Sequence, residues 1–136
     1  MGFVFGAGKR SRIYNTFDAH RLLHWAGEQS PAAQAALKHA LFTAYFTECL
    51  DLSEPSTLVR LAAEVGLDRE EALAAAEAGS ESRWDEAVSA DRARGQMLGA
   101  SGVPFALING KYRVSGAQTA EVFAGVLHEV VRRELA

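Results

Sequence analysis

The sequence predicts an α+β domain that is mainly helical. Hydrophobic residues follow helical spacing over about residues 16–98 and again after residue 119. Between these regions, two short apolar runs flank Asn109-Gly110, the dipeptide most typical of a tight β-hairpin, because both residues tolerate a positive φ angle. The expected order is therefore five helices, a β-hairpin and a final helix.

The composition is that of an ordinary globular domain, and its charge and apolar runs argue against a nucleic-acid partner and a membrane span. The chain has 136 residues with 14 basic and 17 acidic side chains, and a net charge of -3 argues against a nucleic-acid partner. No apolar run approaches the ~20 residues that span a bilayer. A single cysteine, Cys49, cannot form an internal disulfide, so a cytoplasmic location is expected.

Capping residues mark the first two helices. Asn15 or Thr16 precedes an apolar stripe and predicts a helix at about 16–28. Ser30-Pro31 is typical of a helix start, with serine as N-cap and proline at the first helical position. The second helix is predicted over about 31–50, and its two apolar rows indicate that it is largely buried.

Three shorter helices follow, each with its own boundary signals. Ser53-Glu54-Pro55 begins the third helix, which is expected to end at Gly66, a residue that favours a left-handed C-terminal conformation. Asp68, with Glu71 three residues later, predicts a capping box for the fourth helix, which ends near Gly79. The fifth helix is predicted at about 82–98.

The last part of the chain predicts a hairpin and a helix. We expect residues 105–108 and 111–114 to pair as antiparallel strands through the turn at Asn109-Gly110. Ser115-Gly116 closes the second strand. From Thr119 onward, valine, leucine and phenylalanine residues return to helical spacing.

Three segments of the sequence together resemble a known family. They are NTFDAHRLLHWAGEQ from Asn15, ALFTAYFTECLDLSEPSTLVRLAAEVGLD from Ala40, and GASGVPFALINGKYRVSGAQ from Gly99. In this order and separation they resemble the C-terminal two-thirds of the DsbA-like, FrnE-type thiol–disulfide oxidoreductases, which are cousins of the 2-hydroxychromene-2-carboxylate isomerases. The resemblance covers about residues 14–135.

The resemblance implies a thioredoxin-like fold with a helical insertion. By this reading residues 15–98 are the helical insertion, residues 99–136 are the returning ββα half of the thioredoxin-like fold, and residues 1–14 are an N-terminal arm. The family's opening strand, its CxxC helix and its second strand have no counterpart in this sequence. We therefore expect a truncated family member that is inactive alone as an oxidoreductase.

The same resemblance implies a substrate-binding loop at Gly102, Val103 and Pro104. A cis Val103-Pro104 bond is expected there, with the Val103 backbone presented to a thiol peptide or to glutathione. Gln118, at the end of the SGAQ segment, either caps the last helix or contacts the cleft. No catalytic residue, metal site or resident cofactor is expected in this chain, although the resemblance makes glutathione a possible ligand.

The residues with the most reactive side chains are interpreted as structural. Cys49 is expected late in the second helix as a small apolar residue rather than a reactive thiol. His20 and His24 are four residues apart and share a helix face, as a metal pair would, but no third ligand is evident nearby. We therefore predict that both histidines are structural.

Two alternatives from other functional classes remain open. One is a non-catalytic interaction module that uses the proline-entered strand edge, and the other is part of a glutathione-dependent, isomerase-like enzyme. An uncovered strand edge recruits another strand, and residues 3–5 could supply one, in cis or from a second copy. A homodimer buried around the hairpin and the last helix is therefore predicted.

Overall fold

The computed structural model describes residues 2–6, 8 and 12–135. Residues 1, 7 and 9–11 of the expected N-terminal arm lie outside the described residues, as does Ala136. Chain contacts divide the protein into two compact units, residues 1–91 and residues 92–136. We call them the helical unit and the hairpin unit.

The predicted fold class is confirmed, because the described residues form a mainly helical α+β structure. No helix of the described part of the chain is long and apolar enough to cross a membrane. In chain order the elements are α1 Phe17–Gln29, α2 Pro31–Phe42, a π-turn Thr43–Thr47, α3 Pro55–Glu64, α4 Arg69–Ala76, α5 Arg83–Met97, β1 Phe105–Ile108, β2 Tyr112–Ser115 and α6 Ala120–Glu134.

The predicted starts of α2 and α4 have side-chain caps, whereas the N-cap residues of α1 and α3, Thr16 and Glu54, make no side-chain cap bond. The Ser30 hydroxyl accepts a hydrogen bond from the Ala33 N–H at 3.0 Å, ahead of Pro31 at the start of α2. The Asp68 carboxylate accepts from the Glu71 N–H at 2.9 Å at the start of α4. These bonds satisfy backbone donors that a first helical turn otherwise leaves unpaired.

The predicted end of the second helix is wrong. The α-helix stops at Phe42 and continues only as the π-turn Thr43–Thr47, in which the Glu48 N–H donates to the Thr43 carbonyl at 3.1 Å. Cys49 then adopts a left-handed conformation with φ 61°, so it lies outside the helix. The two apolar rows continue through this region, and a hydrophobic pattern alone does not reveal the wider turn.

The core of the helical unit lies where the apolar stripes of α1, α2 and α3 meet. Leu22, Leu37 and Leu58, one from each helix, are fully buried. Trp25 and Leu41 pack in the same cluster. Small residues of α4, chiefly Ala72 and Ala75, complete it and allow that helix to approach closely.

The hairpin unit contains a two-stranded antiparallel sheet followed by α6. Phe105 pairs with Ser115, and Ile108 pairs with Tyr112. The predicted pairing of the two runs is confirmed, but the second strand begins one residue later than expected, because Lys111 belongs to the loop. In that loop Asn109 and Gly110 have φ angles of 51° and 68°, the positive values that favoured them at this turn.

Residues 3–5 form no strand in the described structure. The Gly6 N–H donates to the Phe46 carbonyl at 2.8 Å, and the Thr47 hydroxyl donates to the Val4 carbonyl. The Phe5 ring packs edge-on against the Phe46 ring, with centroids 5.9 Å apart. The predicted replacement strand in cis is therefore wrong for the described residues, since this segment lies along the π-turn.

Candidate functional site

The proline loop, which we define as Gly102–Pro104, connects α5 to β1 in the hairpin unit. The Val103-Pro104 bond is cis, as predicted. The Pro104 carbonyl accepts a hydrogen bond from the Gly116 N–H at 2.9 Å, which fixes the base of the loop to the end of β2. The Val103 side chain is 93% exposed. The loop is thus anchored at Pro104 and exposed at Val103, the residue before it.

Gln118 lies at the same end of the hairpin as the proline loop. Its side-chain amide donates to the Ser115 carbonyl at 3.2 Å, and Ser115 pairs with Phe105, the residue after Pro104. The cap of α6 is instead Thr119, whose hydroxyl accepts from the Val122 N–H at 3.4 Å. Of the two roles considered for Gln118, the helix cap is therefore taken by Thr119, and contact with the cleft stays a prediction; the hydrogen bond to Ser115 closes the turn after β2.

The four predicted site residues carry no titratable side chain. Gly102, Val103 and Pro104 offer backbone groups, and Gln118 offers an amide. Such a set can hydrogen-bond an extended peptide, but it supplies no nucleophile and no acid or base. Any covalent chemistry at this loop must use groups from elsewhere.

Cys49 faces the N-terminal segment. Its thiol donates to the Gly6 carbonyl at 3.6 Å, and the residue is partly buried. A Cβ added at Gly6 would clash with the Thr47 backbone carbonyl and come within 2.9 Å of the Cys49 sulfur, which shows how closely both groups approach Gly6. The position differs from the helical one predicted, but the thiol packs and hydrogen-bonds as a structural cysteine does.

His20 and His24 do not form part of a metal cluster among the described residues. The His24 Nε2 atom lies 3.1 Å from an Asp91 carboxylate oxygen, which links α1 to α5 within the helical unit. Desolvation lowers the pKa of His20, and electrostatic interactions with His24 and Lys38 lower it further, while the interaction with Asp91 opposes them.

Comparison with known proteins decides the family. The family model of the DSBA-like thioredoxin domain matches residues 4–128. The chain belongs to this DsbA-like family. A solved structure similar to it is that of a probable DsbA oxidoreductase from Streptomyces coelicolor, with a TM-score of 0.71 and 39% sequence identity. No curated protein sequence matches the chain.

That structural match covers 85% of this chain and 48% of the other. The DsbA-like chain therefore spans about half the length of the S. coelicolor protein. The described sheet has two strands, and the 136 residues contain one cysteine. The match therefore does not by itself assign the activity of the whole S. coelicolor protein to this chain.

One carboxylate holds the far end of the DsbA-like hairpin against α6. Glu134, in the last turn of α6, accepts from the Lys111 ammonium at 2.9 Å and from the Tyr112 hydroxyl at 3.0 Å. The Asn109 side-chain amide donates to it at 3.1 Å. The bond from Lys111, and then that from Tyr112, lowers the pKa of Glu134. This contact fixes the hairpin turn at the end opposite the proline loop.

Sequence reasoning missed Arg21, the one charged residue buried in the described structure. Its guanidinium donates to the Ala76 carbonyl at 2.9 Å and to the Asp85 carboxylate at 2.8 Å. It thereby joins α1 to the last residue of α4 and to the first turn of α5. Arg21 stands in the family-like AHRL segment, but its two partners are 55 and 64 residues away, and no local pattern points to them.

Proposed function

We propose that this DsbA-like chain is part of a FrnE-type thiol–disulfide oxidoreductase and that it supplies the peptide-binding loop. The observation that carries the proposal is the anchored and exposed proline loop, Gly102–Pro104, in a chain of this family. The Val103 backbone would bind a thiol peptide or glutathione in an extended conformation, as an added strand binds a sheet edge. A cytoplasmic location and the absence of a resident cofactor remain part of the proposal.

In this proposal the chain supplies the binding loop, and the thiols that carry out disulfide exchange come from outside these 136 residues. Disulfide exchange requires an attacking thiolate and a second thiol that resolves the mixed disulfide. Cys49 is a single thiol that hydrogen-bonds to Gly6. We therefore expect the 136 residues alone to bind but not to catalyse dithiol exchange. The glutathione-dependent, isomerase-like alternative also needs groups that these residues do not contain.

The activity test uses the isolated 136-residue chain. Insulin reduction by dithiothreitol and the refolding of scrambled ribonuclease should proceed at the uncatalysed rate, with and without Cys49→Ser. Turnover that the wild-type chain supports and Cys49→Ser abolishes would refute the structural role of this thiol.

The binding test is a titration with glutathione, followed by backbone amide chemical shifts. Shifts should concentrate at Gly102 and Val103. Val103→Asp should weaken binding, because it places a negative charge beside an anionic ligand at a position exposed enough to tolerate it. Met97→Asp, 81% exposed in the same unit, is the matched control. Shifts centred elsewhere, or equal effects of the two variants, would contradict the proposed loop.

A second candidate is an interaction module that forms a homodimer through the hairpin unit. The observation that favours it is an apolar stripe on α6, where Leu127 and Val131 are 48% and 54% exposed and lie four residues apart. Exposed apolar surface of this kind is typical of interfaces. Sedimentation velocity at micromolar concentration should show a dimer that Leu127→Asp converts to monomer. A wild-type monomer under these conditions would refute this candidate and leave the oxidoreductase proposal untouched.

A further inference from the structure

The helical unit contains a cavity of about 320 Å³. It lies among α1, α2, the π-turn and the segments that precede α1 and α3. Leu23, Leu41, Phe42 and Phe46 form apolar and aromatic walls. Pockets for small ligands are mostly apolar, with a few polar groups that set orientation, and occupy ~300–1,000 Å³. This cavity lies at the small end of that range.

The one formally charged side chain among the described residues that line the cavity is a cation. It is Lys38, on α2, and none of those residues carries a carboxylate. His20, on α1, also lines the cavity. The charged groups that act on His20 are His24, Lys38 and Asp91, and the Asp91 carboxylate already contacts His24. Desolvation lowers the pKa of His20, which disfavours its imidazolium form.

We propose that this cavity binds a small amphiphile with an apolar body and one carboxylate, the body lying against Leu41, Phe42 and Phe46 and the carboxylate meeting Lys38 beside His20. Charge complementarity selects this class. An ammonium would be repelled by Lys38, and a neutral chain would leave that charge without an ionic partner in the bound state. A hydrogen bond between two charged groups is also stronger than one between neutral groups.

The proposed site is independent of the proline loop. All residues that line the cavity belong to the helical unit, and those of the loop belong to the hairpin unit. Failure of glutathione binding at Val103 would therefore leave this proposal standing, and failure of this proposal would not affect the loop.

The test uses octanoate as the probe, with octan-1-ol and octylammonium as comparisons of similar length. Calorimetric titration of the full chain should show that octanoate binds about threefold more tightly than octan-1-ol, because it adds an ion pair with Lys38, whose side chain is exposed to solvent. Octylammonium should bind most weakly. Equal affinity for octanoate and octan-1-ol, or no measurable binding of octanoate, would overturn the proposal.

Two variants test the Lys38 charge and the volume of the cavity separately. Lys38→Met should reduce octanoate affinity about threefold and leave octan-1-ol affinity unchanged. Leu23→Phe, which adds volume at a half-buried wall position, should weaken both ligands. Arg60→Met, an exposed cation on α3 that does not line the cavity, is the control and should change neither affinity. Octanoate binding that survives both Lys38→Met and Leu23→Phe would place the site elsewhere and refute the assignment.

The pKa of His20, followed by NMR, is a measurement that would not change if Lys38 had only a structural role. A carboxylate bound beside His20 stabilises the imidazolium, so octanoate should raise the pKa of His20 and octan-1-ol should not. A His20 titration that is unchanged at saturating octanoate would contradict the proposed orientation of the carboxylate.

Discussion

Arg21→Met should strongly destabilise the helical unit. The Arg21 side chain is 7% exposed, and its Nη2 atom lies 2.8 Å from the Asp85 carboxylate. Methionine preserves the length of the apolar stem but removes the charge and the donors. Asp85 would then be a carboxylate that is 14% exposed without its cation, and the Ala76 carbonyl at the end of α4 would lose its donor.

The expected loss follows from these contacts. Removal of one partner of a buried ion pair costs ~3–5 kcal/mol. Asp85 retains some contact with water and Arg21 also meets the more exposed Asp18, so we expect the lower end of that range, about 3 kcal/mol. Replacing both partners, as in Arg21→Met with Asp85→Leu, leaves the Ala76 carbonyl and the more exposed Asp18 without the Arg21 donor and should cost about 1 kcal/mol.

Urea unfolding followed by tryptophan fluorescence measures the loss of stability in the helical unit, to which Arg21 and Asp85 belong. Trp25 and Trp84, the two tryptophans of the protein, both belong to the helical unit, and Trp25 is buried. With a slope of ~1–3 kcal/mol per molar urea, a loss of about 3 kcal/mol lowers the midpoint by at least ~1 M.

Arg60→Met is the matched control for the Arg21 variant. Arg60 is 45% exposed and pairs with Glu64 one turn along α3. Its replacement should cost no more than ~0.5 kcal/mol. If Arg21→Met costs as little as Arg60→Met, or if the double variant is less stable than Arg21→Met alone, the proposed role of the buried ion pair is wrong.

Three further predictions concern single contacts. Gly6→Ala should release the N-terminal segment, because the new Cβ clashes with the Thr47 backbone carbonyl and meets the Cys49 sulfur at 2.9 Å; hydrogen exchange at the Gly6-position amide should accelerate, whereas Gly2→Ala, with nothing within 4 Å, should leave it unchanged. Glu134 has a lowered pKa, so its contact with Lys111 is present above the unfolded pKa near 4.5 and is lost as pH falls through the lower folded value. Amide exchange in the hairpin should rise over that acidic window, and Glu134→Gln should remove this pH dependence; a variant with the wild-type profile would argue against the carboxylate. Asp68→Ala removes the cap of α4 and should lower stability by ~1 kcal/mol in urea unfolding, a loss that Asp68→Ser should largely restore.

Local signals predicted most of the secondary structure, because caps and turns depend on neighbouring residues. Ser30, Asp68 and the Asn109-Gly110 turn each act over three or four positions, and each formed where it was predicted. The family resemblance predicted the proline loop in the same way, through a short segment. Local chemistry therefore accounts for the boundaries that were found correctly.

Features that depend on distant residues could not be predicted from such signals. The donors of Arg21 meet groups 55 and 64 residues away, and arginine on an otherwise amphipathic helix is usually solvated. The π-turn also escaped prediction, since Phe42 and Phe46 keep a spacing that suits an uninterrupted α-helix. Cys49 adopts a left-handed conformation, which is usual for glycine and asparagine but not for cysteine, so the residue type did not predict it.

The π-turn makes the length of the chain between α2 and α3 critical. A π-turn contains about one residue more per turn than an α-helix, so a one-residue deletion within Thr43–Thr47 would allow a regular helix to form. Such a deletion would leave the later residues near their present directions, whereas a further one-residue insertion would rotate Phe46 by up to about 100° relative to α2, since each residue of an α-helix advances the chain by that angle. After an insertion, the aromatic wall of the cavity and the carbonyl that receives the Gly6 N–H would both be displaced. During evolutionary drift, this stretch should therefore accept substitutions more readily than insertions.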